Sequence, residues 1–450
     1  MKPYYFYILF IFCTMLSCKK YLDAKPDKKL ELPATIADVQ ALLDNESIMN
    51  LNNPGTGEIS ADNYYLTDAA WASVSSLTQR NMYIWGSDIT LNDLPNHWSR
   101  LYDIVGVANV ALESISKITP ATNEQNDWNN VKGSALVYRA KSFLTIAGFW
   151  AKTYDKNTAA IDLGIPLRLS SDYETRTTRS TMQETYDQII SDLTEAALIL
   201  PPHPQHVMRP SEAAAFGLLA RTYLMMGVYD SAESYADKCI AISGNLLDYN
   251  TLDTNASAPI PKFNEEVIMH SRIPVPTIFY HRARIDSVLY QSYDSNDLRK
   301  KVFFKNNGNG SYFFKGSYDH GIALFNGVAT DEMYLIKAEC LAREGNIQPA
   351  MNTLNKLLIM RWKTGTFVPM TAVDMQSALV IILMERRKEL VFRDLRWTDL
   401  KRLNKEPAFQ QIIRRKLNGQ DYELAPGDNR YALPIPETVI SISGIQQNPR

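Results

Sequence analysis

One spacing governs what this chain can fold into. Ala220, Tyr223, Gly227, Tyr229, Ala232 and Ala236 are answered 118 positions later by Ala338, Leu341, Gly345, Ile347, Ala350 and Leu354. Within each unit a small residue, a large residue three later, a glycine at the turn and an alanine five after it match the tetratricopeptide spacing. The pattern has a steric cause. Alanine at the crossing lets two antiparallel helices approach closely, and glycine ends the first helix in the left-handed conformation. Neighbouring pairs are expected where helical patterning continues, over Val131 to Lys152 and over Gln183 to Leu200, the latter stopped by Pro201-Pro202. Ala140 and Phe143 repeat the small-then-large spacing without the turn glycine. The expected fold class is therefore mainly α, built of tetratricopeptide-like helix-pair repeats.

Two stretches interrupt that array. Helical periodicity first shows at Thr35 to Asn45, with Thr35 or Asp38 as cap, but from Leu51 to Pro95 the chain is rich in Asn, Gly, Ser, Thr and Asp with interspersed Tyr and Trp. A segment of that kind inside a compact protein is usually functional or disordered. Helices resume at about Trp98. Between the two clear repeat units, Asp248 to Asn326 carries prolines, Asn-Gly pairs and short β-favouring runs at Glu266 to Ile273 and Tyr312 to Lys315, and reads as an insertion with a few short strands. The organisation expected is a loop-rich ligand face over about 46–97, repeat helices over about 98–247 and 330–403, an irregular insertion over about 248–329 and a C-terminal extension over 404–450. Loops carried on a rigid helical scaffold are where binding groups usually sit.

The chain opens on Lys2 and an apolar run, Tyr4 to Leu16, closed by Ser17 and Cys18. That is the layout of a signal peptide over residues 1–17. The run holds 13 residues, whereas a bilayer-spanning helix needs about 20, so a permanent transmembrane anchor is the weaker reading. Met15-Leu16-Ser17-Cys18 resembles a bacterial lipobox with its Leu one place late, in which the cysteine takes a diacylglyceryl group and becomes the new N-terminus. Acyl chains contribute about 0.8 kcal/mol per buried methylene, so a three-chain lipid on Cys18 would hold the protein at a membrane without a protein span. Ordinary secretion with Cys18 buried is the alternative. Lys19 to Pro33, charged and proline-containing, then reads as an extended tether, residues 18–33 forming the lipidated arm. Removing residues 1–17 takes away one charge, Lys2, and moves the formal net charge from −2 to −3. A near-neutral chain with no long basic run argues against a nucleic-acid partner. The 433 residues left (450 minus 17) exceed a typical single core, so at least two packed subregions are expected. Of the four cysteines, Cys239 and Cys340 remain, and free thiols in helix interfaces are favoured over one disulfide.

The chain also resembles a known family, the SusD/RagB nutrient-binding lipoproteins of the Bacteroidetes outer membrane. The resemblance begins at Ser17-Cys18-Lys19-Lys20-Tyr21-Leu22-Asp23 with Pro26, and continues through Trp98, Leu101-Tyr102, Ile104 and Asn109. Asp297-Leu298-Arg299 with Lys315 follows, then Glu332-Met333-Tyr334-Leu335 with Ala338-Glu339. It closes on Glu385-Arg386-Arg387, Glu389-Leu390, Arg396-Trp397, Asp399-Leu400 and Arg402, then Pro434-Ile435-Pro436, Val439 and Gln447-Asn448-Pro449. Arg393-Asp394 stands where the family usually has Glu-Gly, Ile442 where it has Asn, and Ala329 where an Arg is common. The resemblance implies about four tetratricopeptide-like helix pairs under a loop-rich ligand face. It implies function without chemistry: a lipid-anchored protein on the outer membrane, facing outward, that captures an oligosaccharide or polysaccharide and passes it to a SusC-like TonB-dependent transporter. A receptor for peptides or another nutrient on the same scaffold is one alternative, and a tetratricopeptide adaptor for protein helices is another.

Sugar recognition needs flat aromatic faces for the C–H side of pyranose rings and Asn, Asp or Arg for the hydroxyls. The segment Asp62-Asn63-Tyr64-Tyr65, Asp68, Trp71, Tyr83, Trp85 and Asp88 interleaves both and is the first ligand candidate. For each aromatic the competing reading is packing of the loop onto the helices. Tyr280, Arg282, Tyr290 and Tyr293 form a second set that could close the same face. Glu385, Arg386, Glu389, Arg396 and Asp399 are spaced for an ion-pair network clamping the last helices, in preference to catalytic carboxylates. Trp98 and Trp397 read as core. His203 and His206 lack further ligands for a metal, and Asp294, Asn296 and Asp297 lack the glycine and terminal Glu of a calcium loop. No HExxH, GxSxG, P-loop or dinucleotide fingerprint occurs, so neither an enzyme nor a cofactor is expected.

Overall fold

The computed structural model describes residues 33–86, 89, 96–172, 174–279 and 281–450. The stretches read as signal peptide and tether, with Cys18, lie outside the described residues except for Pro33, as do Asp88 and Tyr280. Helix α1 (Ile36–Leu43) starts where the sequence places a cap: the Asp38 amide donates to Thr35 Oγ1 at 3.1 Å and the Thr35 amide to Asp38 Oδ2 at 3.0 Å. The array follows as α2 (His97–Ser116), α3 (Gln125–Trp150), α4 (Met182–Ile199), α5 (Glu212–Met226), α6 (Tyr229–Ile242), α7 (Thr330–Arg343) and α8 (Ile347–Leu358). Each packs against the next from α2 to α8, and α9 (Met375–Glu389) lies against α7 and α8. Helix α10 (Arg396–Leu403) and the short α11 (Glu437–Ser443) close the chain. No helix among the described residues is long and apolar enough to cross a membrane.

The recurring residues do what their spacing implies. Gly227 at φ 75° and Gly345 at φ 84° end the first helix of each unit in the left-handed region. Ala220, Ala232, Ala236, Ala338, Ala350 and Leu354 are all fully buried at the crossings. Helix α3 is the central rod, buried on almost every side from Val131 to Trp150. It has to be satisfied internally, and the buried Arg139 does so by a bidentate pair, 2.7 and 2.8 Å, to Asp192 on α4. A large hydrophobic core runs through α1 to α6 and the insertion, and a second, smaller one is formed by α7, α8 and α9. Cys239 and Cys340 are free and buried.

The loop-rich stretches are more ordered than their composition suggests. Short helices Thr56–Ser60, Asp68–Ala72 and Leu77–Tyr83 sit in the first, the latter two capped by Thr67 and Ser76. Between them Tyr64–Tyr65 forms β1, paired antiparallel with β2 (Arg284–Ile285) in the insertion. The run at 266–273 becomes two short strands, Val267–Met269 and Arg272–Ile273, paired with Val328–Ala329 and Leu324–Phe325. The second run becomes one arm of a hairpin, β3 (Phe304–Asn306) with β4 (Tyr312–Phe314).

The charged residues near the C-terminus form the expected clamp, and it reaches further than one helix. Arg299 is fully buried against Asp297, Glu385 and Glu389, at 2.5 to 2.9 Å, and Arg361 joins Glu389 to Glu266. Arg386 and Arg402 share Asp399, and Arg402 continues to Glu339 on α7. Insertion, α7, α9 and α10 are thereby fastened together. Glu385, Glu389 and Asp399 are all buried and ion-paired.

Candidate ligand-binding face

The two candidate segments come together in the folded chain. β1 pairs with β2, with Tyr65 opposite Arg284, and the Asp286 amide donates to the Asn63 carbonyl at 2.9 Å. Gln79 Oε1 accepts from the Thr277 hydroxyl and the Ile278 amide, both at 3.0 Å. Arg282 reaches across to Ser73, donating to its hydroxyl at 2.8 Å and its carbonyl at 3.1 Å. Hairpin strand β4 packs on β2. One surface thus carries residues from about 62–85 and about 277–314.

Within that surface the candidates divide. Tyr64, Tyr83 and Trp85 are corrected from ligand platforms to core: they are 3%, 1% and 2% exposed and wrap the buried guanidinium of Arg415. The Arg415 carbon lies 3.6 Å from the Tyr83 ring centre and 4.5 Å from that of Trp85, a desolvated cation–π cage. Their polar atoms are spent as well: Tyr64 donates to the Ile59 carbonyl, Trp85 to that of Ser60, and Tyr83 accepts from the Leu66 amide. Tyr293 is likewise buried, donating to the Lys388 carbonyl at 2.8 Å. Asn63 is buried and donates to Glu58 at 2.7 Å. Asp62 is a strut. Burial pushes its carboxyl up, but Arg396 and Arg387 outweigh that and hold it well below the usual carboxylate range.

Tyr65, Asp68, Trp71, Arg282 and Tyr290 are what remains at the surface. Tyr65 is 37% exposed. Trp71 is half-buried, with Arg80 5.6 Å from its ring centre. Tyr290 stacks on Tyr312 with centroids 3.6 Å apart and planes 16° apart, and Lys300 Nζ sits 5.0 Å from the Tyr290 ring. Asp68 accepts from the Asn418 amide at 2.8 Å. Tyr312, Arg284 and Lys300 were not among the sequence candidates. The signal for Tyr312 was the Asn-Gly-Asn-Gly turn before it, which makes a hairpin and returns the ring toward Tyr290. The surface therefore offers aromatic faces flanked by guanidinium, ammonium and carboxylate groups, on loops held rigidly to the helices.

The carboxyls beneath this surface are unusual. The Glu58 amide donates to Asp394 Oδ1 at 2.9 Å and the Asp394 amide to Glu58 Oε2 at 3.1 Å. Burial pushes the Glu58 carboxyl up to about 7, and burial followed by the Glu58 charge pushes Asp394 well above its ordinary value. Asp394 also sits at φ 62°.

Two family profiles match this chain. One, described as starch-binding and associating with the outer membrane, covers residues 20–224, and the other, the SusD family, covers residues 331–450. The chain belongs to the SusD family. Solved structures agree on the fold. A putative sugar-binding protein from Bacteroides vulgatus ATCC 8482 superposes with a TM-score of 0.74 at 21% identity, covering 92% of this chain and 98% of that one. A SusD superfamily protein from Bacteroides thetaiotaomicron VPI-5482 gives 0.74 at 23%, covering 92% and 100%. A laminarin-binding SusD-like protein gives 0.66 at 16%, covering 92% and 98%. A search of curated protein sequences gives no significant match. The left-handed backbone at Asp394 is a conformation that glycine adopts more readily, and here the turn carries a carboxylate in it.

Proposed function

We propose that this SusD family protein is a lipid-anchored glycan receptor of the outer membrane, working without catalysis, that captures an oligosaccharide or polysaccharide and passes it to a TonB-dependent transporter. The observation that carries this reading is the surface where Tyr65, Trp71 and the Tyr290–Tyr312 stack sit among Arg282, Arg284, Lys300 and Asp68. Aromatic rings with an open face take the C–H side of a pyranose, and charged donors and acceptors beside them bond its hydroxyls. A related fold that binds laminarin supports the ligand class. Cys18 within its lipobox-like run supports the anchor, and the family supports the transporter. Affinity gel electrophoresis across a broad polysaccharide panel tests the reading. One or more polysaccharides should retard the wild type, and retardation should drop in Tyr65→Ala/Trp71→Ala. Absence of retardation and of calorimetric binding across the panel would count against it. Binding of peptides alone would select a peptide receptor on the same scaffold.

A further inference from the structure

The helices of this chain contain glycines, and all but one are explained by packing. A Cβ at Gly133 would meet Leu200 at 2.6 Å, one at Gly217 would meet Val328 at 2.5 Å, and one at Gly148 would meet Thr398 at 3.0 Å. Gly106, in the middle of α2, is different: apart from its chain neighbours and the adjoining backbone of its own helix, no atom of the described residues lies within 4 Å of the position its Cβ would take. A helix interior disfavours glycine relative to alanine, because glycine gives up more backbone freedom. Nothing among the described residues requires that cost here.

What Gly106 does border is a groove of about 860 Å³, between α2, the loop over 166–177 and α11. That size lies within the about 300–1,000 Å³ of ordinary ligand sites. The groove shares no residue with the aromatic face. One side is apolar, with Tyr102, Val105, Val439 and Ile442, the last 87% exposed, beside the open floor at Gly106. The opposite side carries the hydroxyls of Ser170, Ser171, Thr175 and Thr177, which give their protons to Glu113, Asp172 and the Thr175 carbonyl and so face the groove as acceptors. The ionised side chains lining it are Asp103, Glu174, Arg168 and Arg176, two of each sign.

These features select among ligands. Balanced charge favours an uncharged one. A peptide bound in extended form needs a run of free backbone groups for a ladder, and five carbonyls along the wall are taken: Asn109 holds those of Arg168 and Ser170 at 2.9 and 3.1 Å, Arg168 those of Asp172 and Thr175 at 2.7 and 3.3 Å, and Arg176 that of Ser443 at 3.2 Å. A sugar chain has a C–H face for the apolar side and a hydroxyl rim for the polar side. We infer that the α2–α11 groove is a second glycan site, taking a neutral oligosaccharide segment, with Gly106 kept bare to leave room for it. This rests on the glycan reading proposed above and locates a site apart from the aromatic face.

The test uses the mature protein in four forms: wild type, the face variant Tyr65→Ala/Trp71→Ala, the groove variant Gly106→Trp, and their combination. Each is read on an array of neutral oligosaccharides that includes laminarin and starch fragments, and then by calorimetry on the glycans retained. The indole at 106 enters open space, so a melting temperature close to that of wild type certifies its fold. The face variant should keep part of the binding, and adding Gly106→Trp should weaken that remainder by about tenfold or more. If Gly106→Trp leaves the remainder unchanged, or if the face variant alone abolishes binding, the second site is overturned while the glycan reading stands. If wild type retains no glycan, both fall. If peptides, and not glycans, compete at the position blocked by Gly106→Trp, the ligand assignment is overturned.

Discussion

Tyr83 and Tyr65 belong to one loop-rich segment, yet Tyr83 is 1% exposed and Tyr65 37%. The sequence could not separate them, because what buries Tyr83 is Arg415, 332 positions away. Composition shows a loop able to stack on sugars, but it does not show which rings are already stacked on a guanidinium. The distinction has measurable consequences. Trp85→Ala empties a packed site at φ 54° and should cost about 3–5 kcal/mol in denaturant unfolding. Trp71→Ala should cost much less and weaken glycan binding instead. Glu58 gives a prediction in pH. Its carboxyl is raised in the folded state to about 7, so the folded protein holds a proton that the unfolded chain has released, and this contribution to stability is present below about pH 4.5 and lost as pH rises through about 7. Unfolding followed over that window should show a smaller decline in Glu58→Gln than in wild type. An equal decline would place the titration elsewhere.

At the scale of elements, the repeat helices were readable because their signal is local: alanine, a large residue and a turn glycine within one helix pair. The capped end of α1 was legible for the same reason, with Thr35 facing Asp38, whereas the Thr181–Glu184 cap of α4 lies just ahead of the expected start at Gln183. The short helices after Thr67 and Ser76 were hidden by length, since five and seven residues show no clear period. The pairing of β1 with β2 was out of reach: two-residue strands are specified by the surrounding contacts, Gln79 with Thr277 and Arg282 with Ser73, more than by their own residues. Helix α2 offers an internal check on the role of Gly106. Gly106→Ala should raise unfolding stability by about 0.8–1 kcal/mol, because the methyl meets nothing and the helix gains its ordinary propensity. A loss of stability would mean that the glycine serves packing after all.

For the whole molecule, the decisive joint is Asp62 with Arg396. It ties the loop that starts at residue 62 to α10 across 334 positions of sequence, at 2.7 and 2.9 Å, with Gln411 as a third partner. Removing one member of a buried pair leaves the other charge stranded, so Arg396→Ala should cost about 3–5 kcal/mol. Hydrogen exchange should rise first over residues 60–85, ahead of α3 and α5. Uniform exchange across the chain would show that the joint supports the global fold and not the loop in particular.

The cage around Arg415 also sets an order of events. Its aromatic walls come from one end of the chain and its cation from the other, and contacts so distant in sequence form late. While the chain is being made, Tyr64, Tyr83 and Trp85 have no guanidinium to close on, and they present a greasy patch to whatever escorts the polypeptide. The loop over residues 60–85 therefore cannot lock until residue 415 has joined the chain.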